Sequence, residues 1–129
     1  MRSLIEKLGK LFVAIEQEQD EEFVLFAFVL PEEAIAWDLL AAAKWIDKDK
    51  QAALRYIAEK VQSSLTEQEL RDVSGVLLFN TNDFEDETTT IRSETGWVEN
   101  ETEFYGRKIQ KGYLFAGPVS DFQVFVNRN

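Results

Sequence analysis

"FVLFAFVLPEEAIAWDLLAAAKWI", residues 23–46, is the stretch on which the architecture of the whole chain turns. Its first eight residues are apolar without alternation, the pattern of a strand covered on both faces inside a sheet. Pro31 has no N–H and a fixed φ, so it ends that strand and suits the first turn of a helix. Glu32 and Glu33 then lie favourably on the positive end of the helix dipole. Ile35, Leu39, Ala42, Ala43 and Ile46 recur at helical spacing. That spacing predicts a helix running to about residue 46, with Trp37 and Trp45 both on it.

Working outward, Ser3 and Glu6 have the spacing of a capping box, in which each side chain satisfies an orphan backbone N–H. Leu4, Ile5, Leu8, Leu11, Phe12 and Ile15 follow as one apolar stripe, predicting a helix over 4–18. Gly9 inside it costs about 1 kcal/mol relative to alanine, a cost that a close crossing would explain. Residues 17–22 are a polar connector. Beyond residue 46, "DKDK" (47–50) punctuates, and Ala53, Leu54, Ile57, Ala58, Val61 and Leu65 mark a second helix. Thr66 and Glu69 repeat the capping-box spacing, and "GVLLF" (75–79) reads as a second doubly apolar strand.

This is a strand–helix–helix–strand crossover. If its two buried strands pair directly they are parallel, with a right-handed connection. Residues 88–129 are rich in Thr, Phe, Tyr and Val, with glycines at 96, 106, 112 and 117 marking turns. Strands are expected near 88–93, 96–105, 108–116 and 121–127, forming an antiparallel meander. The expected fold is one α+β domain over 1–129: an N-terminal helix, the crossover and the meander, with helices packed on a single mixed sheet.

Composition removes several kinds of chemistry. The 129 residues include no cysteine and no histidine, so thiolate metal sites, cysteine nucleophiles, imidazole bases and the usual zinc ligands are absent together. The net charge of −10 opposes phosphate backbones, so no nucleic-acid partner is expected. The N-terminus has the flanks of no signal peptide, and the eight-residue apolar run is too short to span a bilayer. A cytoplasmic chain without a membrane partner is the expectation. Neither phosphate-binding glycine motif is present, and no expected strand carries an acid–x–Lys triplet.

Two places remain for chemistry. The segment "NTNDFEDETTT" (80–90) is crowded with oxygen ligands, and counting from Asp83 gives acids at positions 1, 3, 5 and 12 of a calcium loop. Position 6 is Thr88 where that loop needs glycine, and a strand precedes it, so an EF-hand is not expected. If the two buried strands are parallel neighbours, Glu32 and Glu33 meet Asn80, Asn82 and Asp83 at one rim, with Asp38 a possible addition. Such an oxygen-only set suits Mg²⁺ or Ca²⁺. The second place is the charge distribution. Residues 16–33 hold seven acids and no base, and residues 83–105 hold eight acids against Arg92 alone, so 15 of the 24 acids fall in two segments.

That bias leads to the functional expectation of a non-enzymatic module binding a basic protein partner through an acidic face. Glu85, Asp86, Glu87, Glu94, Trp97, Glu99, Glu101 and Glu103 would form the face, with residues 16–22 as an extension. The alternative is a small-ligand or Mg²⁺-dependent site on Glu32, Glu33, Asn80, Asn82 and Asp83. A third possibility is a homodimer through the helix over 4–18. In size, charge and class the chain is similar to bacterial toxin-neutralising immunity proteins and secretion chaperones, with no motif in common.

Overall fold

A computed structural model describes residues 1–85, 90–104 and 106–118. Helix α1 (Arg2–Gln19) is followed by strands β1 (Leu25–Pro31) and β2 (Trp37–Ala42), then helices α2 (Lys44–Lys48), α3 (Lys50–Ser64) and α4 (Glu67–Leu70). Strand β3 (Val73–Leu78), a 3₁₀ turn over Thr81–Phe84, and strands β4 (Thr90–Phe104) and β5 (Arg107–Pro118) complete the order. The five strands form one mixed sheet in the order β3-β2-β1-β5-β4. This is an α+β fold with an N-terminal helix and antiparallel C-terminal strands.

Residues 37–42 are not part of a helix from Pro31 to residue 46; they form β2, antiparallel to β1 in a register that runs from Leu25↔Ala42 to Val29↔Asp38. The reason lies in burial. Phe26 and Phe28 of β1, with Trp37, Leu39 and Ala41 of β2, enter the core under the helices. The intervening Leu25, Ala27 and Val29, with Leu40 and Ala42, enter a smaller core on the opposite face together with Phe84, Phe104, Ile109 and Leu114. A strand buried on both faces shows no period of two, so its apolar residues also satisfy a helical template. Tertiary burial overrides the helix preference of "LLAAA".

Consequently Trp37 and Trp45 do not share a helix: Trp37 stacks on Phe28 (centroids 5.0 Å apart, planes 9° apart), and Trp45 lies on α2. The parallel pair exists, but it is β2 with β3 rather than β1 with β3, and β3 is the outer strand on that side of the described sheet, half-exposed rather than buried on both faces. β1 and β3 have β2 between them and run in opposite directions. The strands expected at 88–93 and 96–105 are one strand, β4, interrupted by a bulge. The one expected at 108–116 is β5, and the one expected at 121–127 lies outside the described residues.

The helical stripe on α1 is buried, all six of its residues belonging to the main core. It therefore packs on the sheet. Ser3 does not cap this helix: α1 begins at Arg2 without a side-chain cap, so Ser3 stands in its first turn. Thr66 and Glu69 do form their capping box.

Gly9 also has its reason. β4 leaves the ladder between Arg92↔Ala116 and Trp97↔Leu114, and Ser93–Gly96 bulge out, with Gly96 at φ 89° and its N–H donated to the Ser93 hydroxyl at 3.1 Å. The bulge presses on α1 so closely that a Cβ at position 9 would stand 2.0 Å from the Glu94 carbonyl oxygen.

Candidate functional site

The rim proposed for Glu32, Glu33, Asn80, Asn82 and Asp83 is not assembled. Val29↔Asp38 places the end of β1 at the start of β2, whereas Ala41↔Leu78 places the end of β3 at the end of β2. The two groups are therefore separated by the length of β2, roughly 17 Å. Asn80, Asn82 and Asp83 surround a turn tethered to α2, where Asp47 accepts the Thr81 N–H at 3.2 Å and its hydroxyl at 2.6 Å. Asp38 is engaged by Arg107 at 3.0 Å. Among the described residues no cluster of three acids is placed to hold a metal ion.

The acidic connector 16–22 is largely spent inside the fold. Glu16 accepts the Phe23 N–H at 2.7 Å and pairs with Arg92, which also reaches Glu22 at 3.0 Å and lies 5.1 Å from the Phe12 ring centroid. Glu21 accepts the Trp45 backbone N–H at 2.9 Å, and Glu18 pairs with Lys60 at 2.6 Å and the Tyr56 hydroxyl at 2.8 Å. Arg92, the one base of the second acidic segment, thus ties that segment to the first. Arg92 and Lys60 neutralise part of the charge of the 16–22 extension of a partner surface, and Glu16 and Glu21 are held by backbone N–H groups.

These pairs bear on acid stability. The hydrogen bond from Lys60, then that from Tyr56, holds the Glu18 carboxyl below its ordinary value of 4.5. Lys7, at 2.7 Å, then the Thr66 backbone, does the same for Glu69. Both carboxyls are lower in the folded chain, so the unfolded state binds more protons through this range. Their contribution is complete above the ordinary carboxylate value and is lost as pH falls through the folded one. Denaturant melts of a Glu18→Gln/Glu69→Gln variant should show a shallower loss of stability than the parent between roughly pH 5 and pH 3. Equal slopes would mean that neither pair contributes.

The second acidic segment is mixed. Asp83, Glu85, Glu94, Glu101 and Glu103 are exposed, but Glu99 is 3% exposed and belongs to the interior, so it cannot meet a partner. Asp86 and Glu87 lie outside the described residues. Trp97 and Val98 are each 44% exposed on β4 between Glu94 and Glu101. Glu101 stands at φ 44°, and alternation changes there: Glu99 is buried, Asn100 and Glu101 are exposed, and Thr102 is buried.

A cleft of about 680 Å³ opens at the end of the sheet where β1 finishes and β2 and β5 begin. Leu30, Trp37 and Ile109 contribute its apolar surface, while Glu32, Glu101, Glu103, Lys108 and Lys111 bring charge. The connection from β1 to β2 borders it. Gln110 braces that connection, donating to the Pro31 and Ala34 carbonyls at 3.0 and 3.3 Å, and Glu33 holds φ 68° within it. Ile35, expected on a buried helix face, is 96% exposed on the same connection.

Sequence reasoning found Glu32, Glu101 and Glu103 but not their meeting with Trp37, Lys108 and Lys111. No spacing signal could reveal it, because four strands supply the cleft.

No known protein family, curated protein or solved structure matches the chain. No helix among the described residues is long and apolar enough to cross a membrane.

Proposed function

We propose that the chain is a non-enzymatic protein-interaction module that receives a basic partner along β4. The observation carrying this is the exposure of Trp97 and Val98 on the last strand of the described sheet, flanked by the exposed carboxylates of Glu94, Glu101 and Glu103. Tryptophan supplies a large contact at small entropic cost and concentrates binding energy where it is desolvated. The surrounding acids steer a cationic partner and raise the association rate more than the final affinity. The absence of histidine and cysteine from the sequence removes the commonest catalytic side chains and supports a binding role.

The test is affinity capture at low and physiological salt, followed by binding kinetics on each captured protein. A partner on this surface should lose about tenfold or more in affinity with Trp97→Ala. Glu101→Lys/Glu103→Lys should mainly slow its association. Partners that ignore salt, Trp97→Ala and the charge reversal alike would sink the proposal.

A further inference from the structure

We infer that the cleft between the ends of β1, β2, β4 and β5 is a binding site for a small zwitterion of the amino-acid or dipeptide kind. The inference goes beyond the partner surface and shares with it only Glu101 and Glu103. Five charged side chains gather here without a salt bridge, although Glu103 and Lys108 are cross-strand neighbours and the Lys111 ammonium lies 5.4 Å from the Tyr113 ring centroid. None of the ion pairs formed among the described residues includes Glu32, Glu101, Glu103, Lys108 or Lys111. Yet all five line one cleft. The basic residue nearest in sequence, Arg107, is occupied by Asp38.

The strand order sets these charges in alternation. Glu32 follows β1, the two lysines stand on β5, and Glu101 and Glu103 stand on β4. A purely anionic ligand meets three carboxylates there, and a purely cationic one meets two ammonium groups. A ligand carrying both charges can give its carboxylate to the lysines and its ammonium to the glutamates, each as a charge-assisted hydrogen bond. Half-buried Leu30, backed by the buried Trp37 and Ile109, offers its side chain an apolar wall, and Trp37 is held in place by stacking on Phe28 and by Tyr113 at 5.7 Å. Apolar surface with a few convergent polar groups is the usual make-up of a small-ligand pocket, and the volume lies in the usual range.

The backbone departs from regularity beside these side chains. Leu30↔Lys111 and Pro31↔Ile109 leave Gln110 skipped in the ladder. Lys108 and Lys111, three positions apart, both line the cleft, as do Ile109 and Gln110 between them, because it opens around the end of the strand. On the neighbouring strand Glu101 takes its positive φ. Bulges and positive φ at non-glycine residues re-aim side chains, and they gather at binding sites.

The experiment titrates the ¹⁵N-labelled full chain with leucine, phenylalanine and leucyl-leucine. The comparison ligands are 3-methylbutylamine, which lacks the carboxylate, and 4-methylpentanoate, which lacks the ammonium. At least one zwitterion should move the Trp37 indole and the Lys108–Lys111 amides, with a Kd at or below about 1 mM. Each single-charge analogue should bind at least about tenfold more weakly, because it leaves desolvated groups of one sign unpaired. Glu101→Gln/Glu103→Gln should erase the preference for leucine over 4-methylpentanoate. Lys108→Met/Lys111→Met should erase the preference over the amine. Unchanged amide positions elsewhere verify the fold of each variant. Equal binding of charged analogues, shifts confined to other residues, or no shift at 50-fold the expected Kd would each overturn the proposal. None of these results depends on whether a protein partner is found for β4.

Discussion

Replacing Gly9 with alanine is expected to destabilise the protein, although the substitution normally strengthens a helix. Gly9 is in the interior of α1, where alanine has the better intrinsic propensity by about 1 kcal/mol. Against that gain stands the carbonyl oxygen of Glu94, 2.0 Å from where the new methyl must go, with the Glu94 carbonyl carbon at 3.2 Å. Both obstacles are backbone atoms of the β4 bulge, so no side-chain rotation relieves them. Either α1 lifts from the sheet or the bulge is displaced, and overpacking of this kind costs about 1–3 kcal/mol. Urea unfolding measures the sign directly: a lower midpoint with an unchanged slope is the expected result, and a higher midpoint would show that α1 does not cross the bulge this closely. The amides of Ser93–Trp97 should shift most in an NMR comparison.

The largest loss is expected for Phe26→Ala. The Phe26 side chain is fully buried, with ring centroids of Phe12, Phe23 and Phe115 at 5.4, 4.7 and 5.8 Å. These rings come from α1, the approach to β1, and β5, so one side chain joins the helix to the sheet centre. Removing it leaves a cavity among elements that cannot collapse independently, at about 3–5 kcal/mol, a large part of the stability of a chain this size. Ile35→Ala is the internal comparison. If the helix expected over residues 31–46 existed, that change would cost core packing. With Ile35 exposed on a loop it should stay within about 0.5 kcal/mol of the parent. Equal losses for Phe26→Ala and Ile35→Ala would contradict the strand assignment of residues 37–42.

These experiments bear on what could be read from residues alone. The stripe on α1, the capping box of Thr66 and Glu69, the two-sided burial of β1 and most of the inner face of α3 arise from local pattern and are present; Leu54, expected on that inner face, is instead 42% exposed. The β2 segment was not legible, for a physical reason. With both faces covered, "WDLLAA" lacks the alternation that distinguishes a strand, and alanine and leucine favour a helix when nothing else competes. The misplacement then carried over to the candidate site. Treating β1 and β3 as parallel neighbours brought Glu32 and Glu33 to Asn80, Asn82 and Asp83. Inserting β2 between them turned one rim into two opposite ends.

The candidate interaction surface followed a similar course. The acidic bias of residues 16–22 and 83–103 is a property of composition, but its availability is not. Glu16, Glu18, Glu21 and Glu22 are committed to Arg92, Lys60 and backbone N–H groups, and Glu99 is buried. Glu94, Trp97, Glu101 and Glu103 retain exposure on the last strand of the described sheet, where Glu99 and Thr102 turn inward instead.

By itself, the sequence determined the class of the fold, its net charge, the chemistry its missing histidines and cysteines rule out, and the helices whose apolar residues repeat on one face. Those features depend on composition or on neighbours within a few positions. Only the tertiary structure decided which strands adjoin, which acids remain free, why position 9 is glycine, and that Glu32, Trp37, Glu103 and Lys111 share a cleft. Such relations join residues up to 90 positions apart, as between Phe26 and Ala116 of the paired β1 and β5. They are set by strand register and the burial of both sheet faces, which no local periodicity encodes.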